Sequence, residues 1–137
     1  MTDTQIKAVK QSWRILRNIN PHIVGDLFYS KLFMDNPSLR KMFPKNMDEQ
    51  YKKLVETLSV VVARLENLDT LTDDIVAMAQ RHVKYGVQPA HYKMVGNALL
   101  WTLEHGLGHD WNKETAAAWA ECYGILSNTM INAAKGN

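Results

Sequence analysis

The chain has 137 residues, 46% of them hydrophobic and 22% charged, with a formal net charge of +2, so residues 1–137 read as one ordinary globular domain. Lys and Arg are scattered without a basic block, which excludes a nucleic-acid surface, and the longest apolar run, around Leu58 to Ala63, is closed by Arg64 and is too short to span a membrane. A lone Cys122 excludes an internal disulfide and fits a reducing compartment, and Met1 to Gln5 lack the profile of a signal peptide, so a cytoplasmic location is expected.

Apolar spacing predicts helices along the chain and no useful length of strand. The first helix is expected from Thr2, because Thr2 and Gln5 have capping-box spacing and Ile6, Val9, Trp13 and Leu16 recur on one face. Asn20-Pro21 reads as a cap followed by proline at the first helical position, and the helix it opens carries Val24, Leu27, Phe28 and Leu32. Asp35-Asn36-Pro37 repeats this punctuation and starts a short helix ending near Phe43-Pro44, since proline disfavours helix in the residue before it.

Asp48 is the expected cap of a long helix with Tyr51, Leu54, Val55, Leu58, Val61, Val62 and Leu65 on its inner side. Thr72 is the expected cap of a shorter one carrying Ile75, Val76, Met78, Ala79 and His82, which Lys84 and Gly86 suit for ending. Pro89 opens a helix with Tyr92, Val95, Leu99, Leu100 and Leu103, stopping near Gly106 and Gly108. Asn112 caps the last, with Trp119, Cys122, Tyr123, Leu126 and Met130 inward. The expected class is all-α, with about six main helices and one short one, and connections that are brief except around residues 43–48.

Histidine is the commonest metal ligand, and there are five. His105 and His109 are four apart, a spacing that could share a metal on a helix, but Gly106 and Gly108 mark a helix end, and nothing nearby completes a closed zinc site. His22 falls in a first helical turn and His91 at a helix start. His82 lies one turn after Met78 and two after Ile75, on the apolar stripe. Periodicity allows two readings of it. One is a core histidine satisfied by a backbone carbonyl. The other is a single axial ligand to an iron whose remaining ligands come from a porphyrin seated in a large apolar slot.

Five segments, in order, decide between them: Leu27-Phe28-Tyr29-Ser30-Lys31-Leu32-Phe33, Asn36-Pro37 running to Met42-Phe43, Arg81-His82-Val83-Lys84-Tyr85-Gly86-Val87, His91-Tyr92-Lys93-Met94-Val95-Gly96, and Ala118-Trp119-Ala120-Glu121-Cys122-Tyr123-Gly124. Over nearly its whole length the chain resembles the bacterial single-domain globins, the globin domain of flavohaemoglobins, and neuroglobin. The resemblance implies the globin fold around a haem pocket, with His82 as the protein's ligand to iron. The absence of a Cys-x-x-Cys-His motif makes the expected cofactor haem b. By the same resemblance Phe43 stacks on the haem, Tyr29 points into the ligand pocket, and Gln50 and Leu54 take the two distal positions one turn apart. Phe28, Met78, Val87, Tyr92 and Val95 line the haem, and Lys53 or Arg81 pairs with a propionate. Without the resemblance, Phe43 would be a core aromatic, Tyr29 a packing residue and Gln50 a solvated one.

The implied ligands are oxygen, nitric oxide and carbon monoxide. Tyr29 and Gln50 both carry donors that favour oxygen, so high oxygen affinity is expected, in a store, scavenger or delivery protein. An alternative is nitric oxide dioxygenation, which would need an external reductase, since no reductase portion lies within these 137 residues. Another is a gas sensor acting through a partner. One departure bears on this. Flavohaemoglobins pair the proximal histidine and the tyrosine matching Tyr92 with a glutamate on the last helix, and Asn132-Ala133-Ala134-Lys135 contains none. That weakens the case for an optimised enzyme.

Overall fold

Capping residues begin the first helix where the sequence places it. In the computed structural model, which describes residues 1–135, α1 spans Asp3–Leu16, and Thr2 and Gln5 bond each other's backbone N–H groups in a capping box. The Asn20 side chain accepts from the His22 N–H, Pro21 takes the first helical position, and α2 runs Pro21–Asp35. The next proline starts a 3-10 segment, Pro37–Met42, the expected short helix. The other helices are α3 (Asp48–Ala63), α4 (Thr72–Lys84), α5 (Pro89–Leu107) and α6 (Lys113–Lys135), and no strand occurs among the described residues.

Three local expectations are corrected. Asp48 is the first residue of α3, not its cap; the Asn46 side chain accepts its N–H instead. Thr72 likewise begins α4, and its hydroxyl donates to the Asp69 carbonyl behind it. The connection before it is not brief: a second 3-10 segment, Leu65–Leu71, separates α3 from α4, so Leu65 lies beyond the long helix. A third 3-10 turn, Gly108–Asp110, follows α5, whose C-cap Gly108 takes the positive φ of 54° that favours glycine.

α6 packs along both α1 and α4, while α2 packs on α3 and α5. The joint between α1, α3 and α6 is aromatic and polar at once. Trp13 and Trp119 sit 5.9 Å apart, Trp119 Nε1 donates to Ser12 Oγ at 2.8 Å, and Trp13 Nε1 donates to Ser59 Oγ at 3.0 Å. Both buried indoles thus keep a partner. The apolar interior divides into a main cluster and a smaller one built on Leu71, Ile75, Ala79 and Met130, with Leu68 and Leu126 touching both. No helix among the described residues is long and apolar enough to cross a membrane.

Candidate functional site

Each α-helix from α2 to α6 turns side chains into one apolar cavity. α2 contributes Phe28, Tyr29 and Leu32; the short 3-10 segment and its end contribute Leu39, Met42 and Phe43; α3 contributes Gln50, Leu54, Thr57 and Leu58. α4 contributes Met78 and His82, the following loop Val87, α5 His91, Tyr92, Val95 and Leu99, and α6 Tyr123, Leu126, Ser127 and Met130.

The cavity therefore brings together Phe28, Tyr29, Phe43, Gln50, Leu54, Met78, His82, Val87, Tyr92 and Val95. Lys53 and Arg81 are exposed and stand outside the lining. Sequence reasoning placed Tyr123, Leu126 and Met130 on an inner helix face but not in a site, and took His91 for a helix start. His91 lines the cavity while its Nδ1 accepts the Gln88 N–H at 2.9 Å, which leaves its proton on Nε2.

His82 Nδ1 lies 2.7 Å from the carbonyl oxygen of Met78, one turn back on α4. A carbonyl only accepts, so Nδ1 carries the hydrogen and Nε2 is left with a lone pair. Burial lowers the His82 pKa, aided by the Arg81 charge and opposed by the Met78 bond, so the ring is held neutral. A neutral imidazole with its far nitrogen hydrogen-bonded is the usual state of a metal-binding histidine.

Around Tyr29 the wall is aromatic. Its ring meets Phe28 edge-on at 4.8 Å and Phe43 at 5.4 Å, and it stacks on Tyr51 at 5.8 Å. Gln50, the third residue of α3, donates from its amide Nε2 to the Tyr29 oxygen at 3.1 Å. Because that oxygen is already accepting, the Tyr29 O–H is free to donate elsewhere. Burial pushes the Tyr29 pKa up to about 12, partly offset by the Gln50 bond, so the group is a neutral donor.

On α5 and α6, Tyr123 donates to the Tyr92 carbonyl at 2.6 Å. Its ring fits only because position 96 is glycine, where a Cβ would fall 2.7 Å from the ring edge. Burial also raises the Tyr123 pKa.

The donor set decides what this cavity can hold. Among the described residues no group of three or more His, Cys, Asp or Glu side chains could cage a bare metal ion. His105 and His109 do not form a pair on one helix: α5 ends between them, and His105 stacks on Trp101 at 4.0 Å while its Nδ1 donates to the Trp101 carbonyl. Of the two imidazoles in the lining, His91 has its Nδ1 occupied by the Gln88 N–H, whereas His82 keeps an unshared Nε2 lone pair, and one such donor on a broad apolar wall fits a metal that brings most of its own ligands in a flat, greasy macrocycle.

Comparisons with known proteins agree with this chemistry. The globin family model matches residues 26–130. Over 135 residues the chain is 27% identical to a flavohemoprotein of Vibrio cholerae, covering 96% of this chain but 34% of that protein. It thus spans about a third of that relative's length. It is 28% identical over 135 residues to a globin-like protein of Aquifex aeolicus, covering 98% of this chain and 95% of that one. A bacterial globin of known structure from Campylobacter jejuni superposes with a TM-score of 0.87 at 28% identity, covering 98% of this chain and 97% of that one.

Proposed function

The chain belongs to the globin family, and from that premise we propose that it is a haem b protein that binds oxygen and other diatomic gases reversibly. The observation that carries the proposal is the His82 ring. Its Nδ1–H is committed to Met78 and its Nε2 lone pair belongs to a side chain lining the cavity. A bound haem supplies an iron with one position open to a gas molecule.

The protein's part is selectivity. In this reading Tyr29 donates its O–H to the ligand while Gln50 steadies the Tyr29 oxygen from behind. Oxygen takes up more negative charge on binding than carbon monoxide and so gains more from a donor. Phe43 and Phe28 would flank the cofactor as apolar walls, and Leu54 and Gln50 would bound the space left for the gas. Met78, Val87, Tyr92 and Val95 would form the remaining contacts, and Lys53 or Arg81, both exposed, would pair with a propionate.

The match to a flavohemoprotein favours a second reading, nitric oxide dioxygenation with electrons from an external reductase. The missing glutamate at Asn132 to Lys135 counts for the binding role over it.

Absorption spectra of the purified protein in ferric, ferrous and oxygenated states test the proposal. Haem b bands with a stable oxygenated form are expected. A protein that takes up no haem, or a ferrous form that gives no oxygen adduct, would refute it. Sustained nitrate formation with a supplied reductant would move the role to the second reading.

A further inference from the structure

We propose that Tyr51 is a positioning residue for oxygen selectivity, holding Tyr29 and Gln50 in register from outside the cavity, an inference that rests on the gas-binding reading above. Tyr51 does not line the candidate site. It faces an outer, polar pocket that includes His22, Arg40 and Asp48, and Tyr29 lines both spaces. The Tyr29 ring is thus the partition, and Tyr51 stands on its outer side.

Four rings surround Tyr29. Phe28 and Phe33 are its neighbours on α2, and Phe43 follows the short 3-10 segment. Tyr51, stacked on it at 5.8 Å and 28°, belongs to α3, the helix that carries Gln50. It is the next residue after Gln50, so whatever fixes Tyr51 also fixes the backbone from which Gln50 reaches the Tyr29 oxygen. That backbone is the first turn of α3, where N–H groups lack partners within the helix and ends fray. Met47 before it supplies no side-chain cap.

Contacts from α2 do the fixing. The Tyr51 hydroxyl donates to Asp26 Oδ1 at 3.3 Å, and the same oxygen accepts from Ser30 Oγ at 3.3 Å. Burial and the Asp26 carboxylate both raise the Tyr51 pKa, so the hydroxyl stays a donor. The His22 ring meets the Tyr51 ring edge-on at 5.0 Å, and His22 Nδ1 lies 3.5 Å from Asp48 Oδ1 at the start of α3. The root of the Tyr51 side chain lies against Gly25, where a Cβ would fall 2.5 Å from the Tyr51 Cβ. Asp26 and Ser30 are exposed, so water competes for their bonds and the tether adds orientation more than stability. Orientation is what a donor needs: an O–H···O bond is good only over roughly 2.5–3.0 Å and weakens steeply off line. Tyr51 cannot touch the gas and acts through the Tyr29 hydroxyl.

The test uses the haem-loaded protein. Tyr51→Leu removes the ring and the hydroxyl and keeps an apolar, helix-favouring side chain. Oxygen dissociation, read by stopped flow, should rise by about three- to fivefold, part of the order of magnitude expected for losing the Tyr29 hydroxyl itself. The C–O stretch of the carbonyl complex should move to higher frequency, because a donor close to the bound molecule weakens its C–O bond. Tyr51→Phe keeps the stack and should recover most of the wild-type behaviour in both readouts. In a Tyr29→Phe background Tyr51→Leu should change neither, since the hydroxyl it positions is gone, a dependence that loss of packing alone would not produce. Unchanged oxygen release in Tyr51→Leu, or an equal change with and without the Tyr29 hydroxyl, overturns the proposal. Tyr51→Met takes the place of the leucine variant if that does not fold. Failure of the gas-binding reading looks different: the wild-type protein itself gives no oxygenated form.

Discussion

The Tyr29 hydroxyl is 6% exposed as part of its residue, stays protonated to about pH 12 because of that burial, and has its oxygen occupied by Gln50. Removing it should leave the cavity's shape intact and delete one donor. A hydrogen bond to a group bearing charge is worth about 1.5–3 kcal/mol, so Tyr29→Phe is expected to raise the oxygen dissociation rate by about an order of magnitude, read by stopped-flow release. An unchanged rate would mean that the hydroxyl does not reach the ligand. The same burial sets an alkaline limit. A tyrosine whose pKa moves from 10 to about 12 on folding contributes stability that is complete below pH 10 and is lost as pH rises through about 12. The loss attributable to Tyr29 is about 3 kcal/mol, and the raised Tyr123 pKa adds in the same direction. Urea midpoints should therefore fall between pH 10 and 12, and fall less steeply in Tyr29→Phe. Identical slopes would count against a buried neutral phenol.

At the scale of elements, the approach of α2 to α3 depends on Gly25. A Cβ there would lie 2.5 Å from the Tyr51 Cβ and 2.8 Å from its Cα, and backbone cannot step aside as a flexible side chain can. Overpacking costs about 1–3 kcal/mol, more than the up to about 1 kcal/mol that alanine gains over glycine in a helix. Gly25→Ala should lower stability in urea denaturation and disturb the Tyr29–Tyr51 stack; a stabilised variant would contradict the packing described. Helix starts were readable because caps and prolines act locally, as at Thr2, Asn20-Pro21 and Pro89. The Leu65–Leu71 segment was not, because Leu65, Leu68 and Leu71 repeat every three residues without glycine or proline to announce the change from α to 3-10 geometry. In the candidate site, His82 stood out as a polar group on an apolar stripe, whereas Tyr29 and Gln50 came from the family resemblance alone. Tyr123 and Leu126 were hidden because a cavity wall and a solid core give a helix the same apolar face. What set them apart was tertiary: the Tyr92 carbonyl, the space over Gly96, and a second cavity behind Leu126.

Taken whole, the molecule is a helical frame stiffened at one joint and hollow at another. The Trp13–Trp119 pair and its two serine partners lock α1, α3 and α6 together. α2, α3, α4, α5 and α6 then enclose a space that side chains do not fill, and such a space persists when something else occupies it on folding. The occupant we propose is a haem, with His82, oriented by the Met78 carbonyl, as its protein ligand. The most direct test is the ferrous absorption spectrum of His82→Gly, loaded with haem, with and without added imidazole. Loss of the histidine-coordinated signature is expected, with its return when imidazole fills the vacated space. An axial spectrum in the variant that matches wild type without imidazole would contradict it.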